Sequence, residues 1–205
     1  MTPAEVRHDR QVSAPPPFEP LEPFALRAGP VRLRPWREDD VDEVWTAFQD
    51  PDIRLWNGGG VASRTDALVL LGRRLDWSTG DHASWAVVDP ADDAGVLGSV
   101  SLHSIDRLQG GASIGYWTAP RARGRGLAAV AVDAVCRWAF DALPVERVEL
   151  CHAVENTASG RVAEKAGFTR EGRLRRSYRY GDGEKHDELV WSRLATDPAP
   201  ALRAA

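Results

Sequence analysis

A strand that ends in a loop of arginines and glycines, with a helix starting on the last glycine, constrains this chain more than any other feature. The stretch is Tyr116-Trp117-Thr118-Ala119-Pro120-Arg121-Ala122-Arg123-Gly124-Arg125-Gly126-Leu127-Ala128-Ala129. Ala112–Thr118 reads as the strand. Downstream, Leu127, Val130, Ala131, Ala134, Val135, Trp138 and Ala139 fall on one helical stripe, so a helix over Gly126–Leu143 must lie against an apolar surface. The first amides of such a helix have no intrahelical partner and carry partial positive charge. Glycines let that backbone approach a ligand closely, and arginines add bidentate phosphate donors. The loop is therefore a candidate anion site, with pyrophosphate as the expected guest.

The elements around it alternate in type. Val31–Trp36, Ser84–Asp89, Gly95–His103, Arg147–Ala153, Gly172–Tyr180 and Asp187–Leu194 read as strands. Glu38–Gln49 reads as a helix with Glu38, Asp39 and Asp40 at its positive end, stopped by Asp50-Pro51. Ser63-Arg64-Thr65-Asp66 resembles a capping box opening a second helix that runs to about Trp77, and Ala158–Ala166 reads as a fourth. Hairpins mixed with crossovers predict an α/β (α+β) domain, a mixed sheet with helices on its faces.

Composition sets the limits of that domain. Hydrophobic residues make up 43% and charged residues 27%, which excludes a disordered or fibrous chain. Seven of the 14 prolines lie in the first thirty residues, so residues 1–24 are expected to be a proline-rich tail without ladder or helix. The folded unit is then 25–195, followed by a frayed end at 196–205. No apolar run approaches the ~20 residues of a membrane span. No basic-then-apolar leader opens the chain, so a cytoplasmic protein with reduced Cys136 and Cys151 and no metal site is expected. A net charge of −4 argues against a dedicated nucleic-acid binder.

Two ligand readings fit the loop. Gly124-x-Gly126-x-x-Ala129 matches the dinucleotide-binding fingerprint, with Glu149 far enough downstream to take a ribose hydroxyl. That reading wants the loop directly after a buried parallel strand. Here a four-residue Ala-Pro-Arg-Ala link intervenes and hairpin strands precede it. The other register is Arg123-x-x-Gly126-x-Ala128. It resembles the [Gln/Arg]-x-x-Gly-x-[Gly/Ala] signature of the GNAT superfamily of acetyl-CoA-dependent N-acetyltransferases. The segment Asn156-Thr157-Ala158-Ser159 through Glu164-Lys165-Ala166-Gly167-Phe168 is similar to a block of the branch containing ribosomal-protein N-terminal alanine acetyltransferases. Leu33-Arg34-Pro35-Trp36, Asp39-Asp40, Asp50-Pro51 and His186-Asp187 extend the resemblance over residues 31–194.

The resemblance implies a GNAT fold, a mostly antiparallel sheet of about six or seven strands with about four helices. It implies acetyl-CoA as co-substrate and transfer of the acetyl group to a primary amine by direct attack in a ternary complex. The pantetheine arm would pair with Tyr116, Trp117 and Thr118, between that strand and Arg147–Ala153. The pyrophosphate would rest on Arg123, Gly124, Arg125, Gly126, Leu127, Ala128 and Ala129. Asn156 would bond the pantetheine, and it is equally a good helix cap. Ser159 would donate a proton to the leaving thiolate.

No family glutamate marks the general base. The strand before the loop reads Ala112-Ser113-Ile114-Gly115-Tyr116, and the position five before Asn156 is Cys151. Glu149 and His152 remain as candidates, with His186 further off. Trp45, Trp56, Trp77, Tyr178 and Tyr180 are candidates for an aromatic acceptor wall, and the five arginines of Arg170–Arg179 for steering an acidic acceptor. The acceptor is a protein N-terminus, an amino acid or an amine-bearing antibiotic, and sheet or helix edges allow a homodimer. A non-catalytic acyl-CoA-binding domain on the same fold is the alternative from another class.

Overall fold

The computed structural model describes residues 19–57 and 60–202; residues 1–18 of the tail expected over 1–24, and residues 203–205, lie outside them. Eight described strands form one sheet: β1 (Leu26–Ala28), β2 (Val31–Pro35), β3 (Ala83–Asp89), β4 (Asp92–Asp106), β5 (Gly111–Thr118), β6 (Arg147–Ala153), β7 (Thr169–Arg179) and β8 (Lys185–Leu194). Their order is β1-β2-β3-β4-β5-β6-β8-β7. Every neighbouring pair is antiparallel except β5 with β6. Five α-helices among the described residues pack with it: α1 (Val41–Ala47), α2 (Pro51–Trp56), α3 (Arg64–Leu75), α4 (Leu127–Ala142) and α5 (Thr157–Lys165).

The centre of the sheet is buried on both faces because its strands carry apolar residues at both parities, whereas the edge strand β7 is exposed. In β3, Ala83, Trp85 and Val87 belong to the cluster under α4, while Ala86 and Val88 belong to the cluster under α1 and α3. The stripe read along α4 is the buried one: Leu127, Ala131, Val132, Val135 and Ala139 all pack inward. One polar residue in it, Asp133, accepts from Arg193 of β8 at 2.8 Å and from Arg137 at 3.0 Å. A second buried pair is bidentate, Arg34 to Asp40 at 2.7 and 2.8 Å. Asp40 therefore serves the sheet, and the helix expected over Glu38–Gln49 divides into a 3-10 turn, Glu38–Asp40, and α1.

Two elements escape a sequence reading. α2 is six residues long, too short for a period, and starts where Asp50-Pro51 ends the preceding helix. The Asp50 carboxylate accepts from the Ile53 amide at 3.0 Å and Pro51 takes the first turn, where its missing donor costs nothing. β1 is three residues long, recognisable only by its pairing with β2. The packed body also starts earlier than residue 25. The Leu21 amide donates to the Trp77 carbonyl, and the Phe24 ring lies 5.3–5.8 Å from those of Trp77, Trp85 and Trp138. Prolines bar this stretch from a ladder but not from docking its side chains. At the other end Leu202 packs on the core and Pro200 lies against Gly167, so residues 196–202 run along the body.

β5 and β6 pair only at Gly111–Arg147, Ala112–Val148 and Ser113–Glu149. Beyond that point β5 stays with β4 as far as Thr118, opposite Gly98, and β6 stays with β8 as far as Ala153, opposite Glu188. Each strand follows its antiparallel neighbour, and a wedge opens between them. The β4–β5 seam is tight at its end: a Cβ on Gly98 would stand 2.5 Å from the Trp117 carbonyl oxygen. Gly98→Ala is expected to lower stability by about 2 kcal/mol, from forced displacement of β5. Gly111→Ala, with open space around its Cβ, is expected to stay within about 0.5 kcal/mol. Thermal denaturation of the two variants checks the contrast.

Candidate active site

The wedge is the floor of a cleft of ≈ 640 Å³. Tyr116, Trp117 and Thr118 form one side, Leu150, Cys151 and His152 the other, and the start of α4 closes one end. Unpaired backbone groups of both strands face this gap, and buried polar backbone demands a partner. Gly124 and Gly126 have φ of +77° and +73°, the left-handed region that glycine enters without strain. Gly126 is the N-cap of α4, and Leu127, Ala128 and Ala129, in its first turn, line the cleft with it. Strand end, left-handed glycines and free helix amides thus converge.

The arginines do not gather there as expected. Arg121 turns away to the Glu43 carboxylate and the Val96 carbonyl, at 2.9 and 2.8 Å. Arg123 lines the cleft, but its guanidinium bonds Asp50 and Asp52 at the start of α2. Arg125 is exposed and is not part of the cleft wall. The cations that do line it, besides Arg123, come from α5: Arg161 and Lys165, one turn apart. Their i, i+4 spacing, on a helix whose Ala163 and Ala166 are buried, is the signal that marks a shared outward face.

Asn156, Ser159 and Tyr116 come together. Asn156 lines the cleft and caps α5, its Oδ1 accepting from the Ser159 amide at 3.1 Å. The buried Ser159 hydroxyl lies 2.7 Å from the Tyr116 hydroxyl, so a hydrogen bond spans the open end of the wedge from α5 to β5. Burial pushes the Tyr116 phenol up to about 12, which keeps it a neutral donor at physiological pH.

The two candidate bases are placed elsewhere. Glu149 sits at the last paired position of β6, below the fork, and its carboxylate takes two hydrogen bonds from Arg147. It does not line the cleft. His152 borders the cleft with both ring nitrogens engaged: Nδ1 meets the Ala153 carbonyl at 2.7 Å, and Nε2 accepts from Trp191 at 3.0 Å. That pattern fixes a neutral Nδ1–H tautomer, and burial lowers its pKa below the ordinary histidine value. Glu149 therefore lies away from the cleft, and His152 presents no open ring nitrogen to a substrate. Cys151 is in the cleft wall, but partial burial, with the Glu188 and Glu149 charges, pushes its thiol to about 11, so it is not a thiolate nucleophile.

On the acceptor side, Trp56 and Tyr180 line the cleft with rings 5.5 Å apart and edge-on. The hairpin turn after β7 is seated on α2, its Gly181 amide donating to the Leu55 carbonyl at 2.9 Å. His186 lies between Asp182 and Glu155, at 2.9 and 3.3 Å, and tethers hairpin to cleft rim. Trp45 and Trp77 pack into the two cores, and Tyr178 lies behind Tyr180. Of the β7 arginines, Arg173 pairs with Asp187 and Arg179 with the Gly183 carbonyl, both outside the cleft.

Comparison with known proteins agrees with this architecture. The acetyltransferase (GNAT) domain matches residues 31–169. YoaA of Bacillus subtilis (strain 168), called an uncharacterized N-acetyltransferase, is 30% identical over 170 residues, covering 78% of this chain and 90% of that protein. YdaF of the same strain carries a provisional name as a ribosomal N-acetyltransferase. It is 37% identical over 102 residues, so the match spans half of this chain and 55% of YdaF. Mycobacterium smegmatis RimJ, solved in complex with CoA-disulfide, superposes with a TM-score of 0.76 at 25% identity, over 86% of this chain and 90% of that one. No helix among the described residues is long and apolar enough to cross a membrane. Wedge, glycine loop and sequence matches lead to one assignment: the chain belongs to the GNAT family of acetyltransferases, of the branch resembling ribosomal-protein acetyltransferases, with acetyl-CoA as the family's co-substrate.

Proposed function

We propose that the chain transfers an acetyl group from acetyl-CoA to the primary amine of a peptide or protein N-terminus, by direct attack within a ternary complex. One observation supports this above others: the unpaired ends of β5 and β6 flank a cleft that ends on the free amides of α4. A pantetheine arm carries amide groups able to satisfy that strand backbone as an added strand would. Pyrophosphate suits the amides of Gly124 to Ala129, and Arg161 and Lys165 supply the positive charge that Arg121 and Arg125 do not. RimJ binding a CoA species on the same fold supports the same placement.

The chemistry asks for positioning, a proton donor for sulfur and an acceptor for the amine proton. The Ser159–Tyr116 hydroxyl pair is the donor, since both groups are neutral and already joined at the fork. Trp56 and Tyr180 form the wall against which the acceptor lies. The ribosomal N-acetyltransferase name carried by YdaF favours a protein acceptor over an antibiotic amine. Acetyl-CoA turnover with free and N-terminally blocked peptides, against a panel of small amines, tests the acceptor. Release of CoA thiol only with small amines contradicts it. Tight CoA binding without any acylated amine leaves the non-catalytic acyl-CoA-binding reading instead.

Two outcomes are expected of variants. Gly126→Val puts a branched side chain at φ +73° and over the helix amides, so acetyl-CoA no longer raises the melting temperature at concentrations that stabilise the parent. Ser159→Ala and Tyr116→Phe each lower kcat, by roughly 10- to 100-fold, with little change in KM for acetyl-CoA, as steady-state thiol release will show.

A further inference from the structure

Three carboxylates are buried among the described residues: Asp40, Asp133 and Glu188. Arg34 neutralises Asp40 and Arg193 neutralises Asp133. Glu188, 8% exposed, has no arginine, lysine or histidine within ion-pair distance among the described residues. Its oxygens take hydrogen bonds from two hydroxyls instead, Tyr180 Oη to Oε1 at 3.0 Å and Ser177 Oγ to Oε2 at 2.7 Å. Burying a carboxylate without a counter-charge costs several kcal/mol. A glutamine could accept from only one of the two hydroxyls, so the two donors fix a carboxylate here, a buried proton acceptor beside the cleft.

One residue separates this acid from the cleft. Glu188 stands opposite Ala153, at the end of β6 where the wedge is open, and Tyr180 lines the cleft beside Trp56. Burial and the Glu188 carboxylate push the Tyr180 phenol far above its ordinary pKa, so it stays protonated and passes protons rather than storing charge. The other titratable groups that pack around the pair are Cys151 and His152 of β6 and His186 of β8, whose ring lies 5.5 Å from that of Tyr180. Cys151 is held as a thiol, His152 as a neutral imidazole, and both ring nitrogens of His186 are taken up by Asp182 and Glu155, so none of them competes for the role.

We propose that Tyr180 and Glu188 form the proton exit for the acceptor amine, an inference that rests on the acetyl transfer proposed above. As the amine nitrogen bonds to the thioester carbon, the N–H proton of the resulting ammonium passes to Tyr180 Oη while the phenol's own proton passes to Glu188 Oε1. The C–S bond then breaks, and the thiolate takes a proton from the Ser159–Tyr116 pair. Solvent removes the proton from Glu188 and returns one to the hydroxyl pair, so the net products are the amide and CoA thiol. Tyr180 is the residue that touches the acceptor; Glu188 acts through it.

The test is steady-state acetylation by the full chain with acetyl-CoA and an accepted amine, over pH 6 to 10, for the parent, Glu188→Gln, Tyr180→Phe and the double variant. Both single variants are expected to lose about 100-fold in kcat at neutral pH, with KM for acetyl-CoA unchanged. The double variant is expected to be no worse than either single, because the two act in series. Activity recovers toward alkaline pH, where hydroxide removes the amine proton. Glu188→Gln retaining kcat within about twofold overturns the relay, as do losses that multiply in the double variant. If Glu188→Gln fails to fold, Tyr180→Phe decides, since it leaves the Ser177 contact in place. A parent that binds acetyl-CoA but acylates no amine overturns the transferase reading, and the relay falls with it.

Discussion

Everything at this site follows from three residue pairs. β5 and β6 share a parallel ladder only from Gly111–Arg147 to Ser113–Glu149, and then each strand leaves with its antiparallel partner. A sheet that splits in mid-strand leaves backbone donors and acceptors without partners, and a fold keeps such a gap only where something else completes it. The gap is held open by the tight seam of Gly98 against Trp117 on one side and by the long β6–β8 ladder on the other. α4 then brings its free amides to one end and α5 brings Asn156 and Ser159 to the other. Position, hydrogen-bonding capacity and charge all derive from the same fork.

The fork also separates side chains that build from side chains that are free to react. Glu149 lies below it and is held by Arg147; His152 lies beside it and is held at both nitrogens. Above it the hydroxyls of Ser159 and Tyr116 join across the gap, and Tyr180 backs onto Glu188. Arg123 is a third kind of case. It faces the cleft, yet its bonds to Asp50 and Asp52 tie the glycine loop to α2 and so to the hairpin seated on α2. The nucleotide end and the acceptor wall are therefore mechanically connected through one guanidinium.

Local features were legible in the amino-acid sequence; long-range pairing was not. α4 announced itself by the apolar stripe from Leu127 to Ala139 and by its glycine cap, and β6 by its alternation, over the same residues that pair in the sheet. The capping box at Ser63 is present with both of its hydrogen bonds. α2 and β1 are too short to display a period, so only tertiary pairing defines them. The same limit governs the charges. That Arg123 meets Asp50, 73 residues away, or that Arg121 meets Glu43, 78 residues away, has no local signature. The eight tryptophans have places: Trp77 and Trp85 under α4, Trp138 of α4 packed against Trp85, Trp36, Trp45 and Trp117 on the opposite face, Trp191 on His152 and Trp56 at the cleft. Tyr180 was visible as an aromatic of the last hairpin, whereas its acid partner became apparent only once β8 lay beside β6.

On the proposed reading, acetyl-CoA completes the backbone of the fork. Amide hydrogen exchange with and without acetyl-CoA measures this directly. Protection is expected to rise together at Tyr116–Thr118, at Gly124–Ala129 and at the open end of β6, and to stay unchanged along β1 to β3. Protection confined to other parts of the surface, or absent at the β5 and β6 ends while the ligand is bound, would contradict the account.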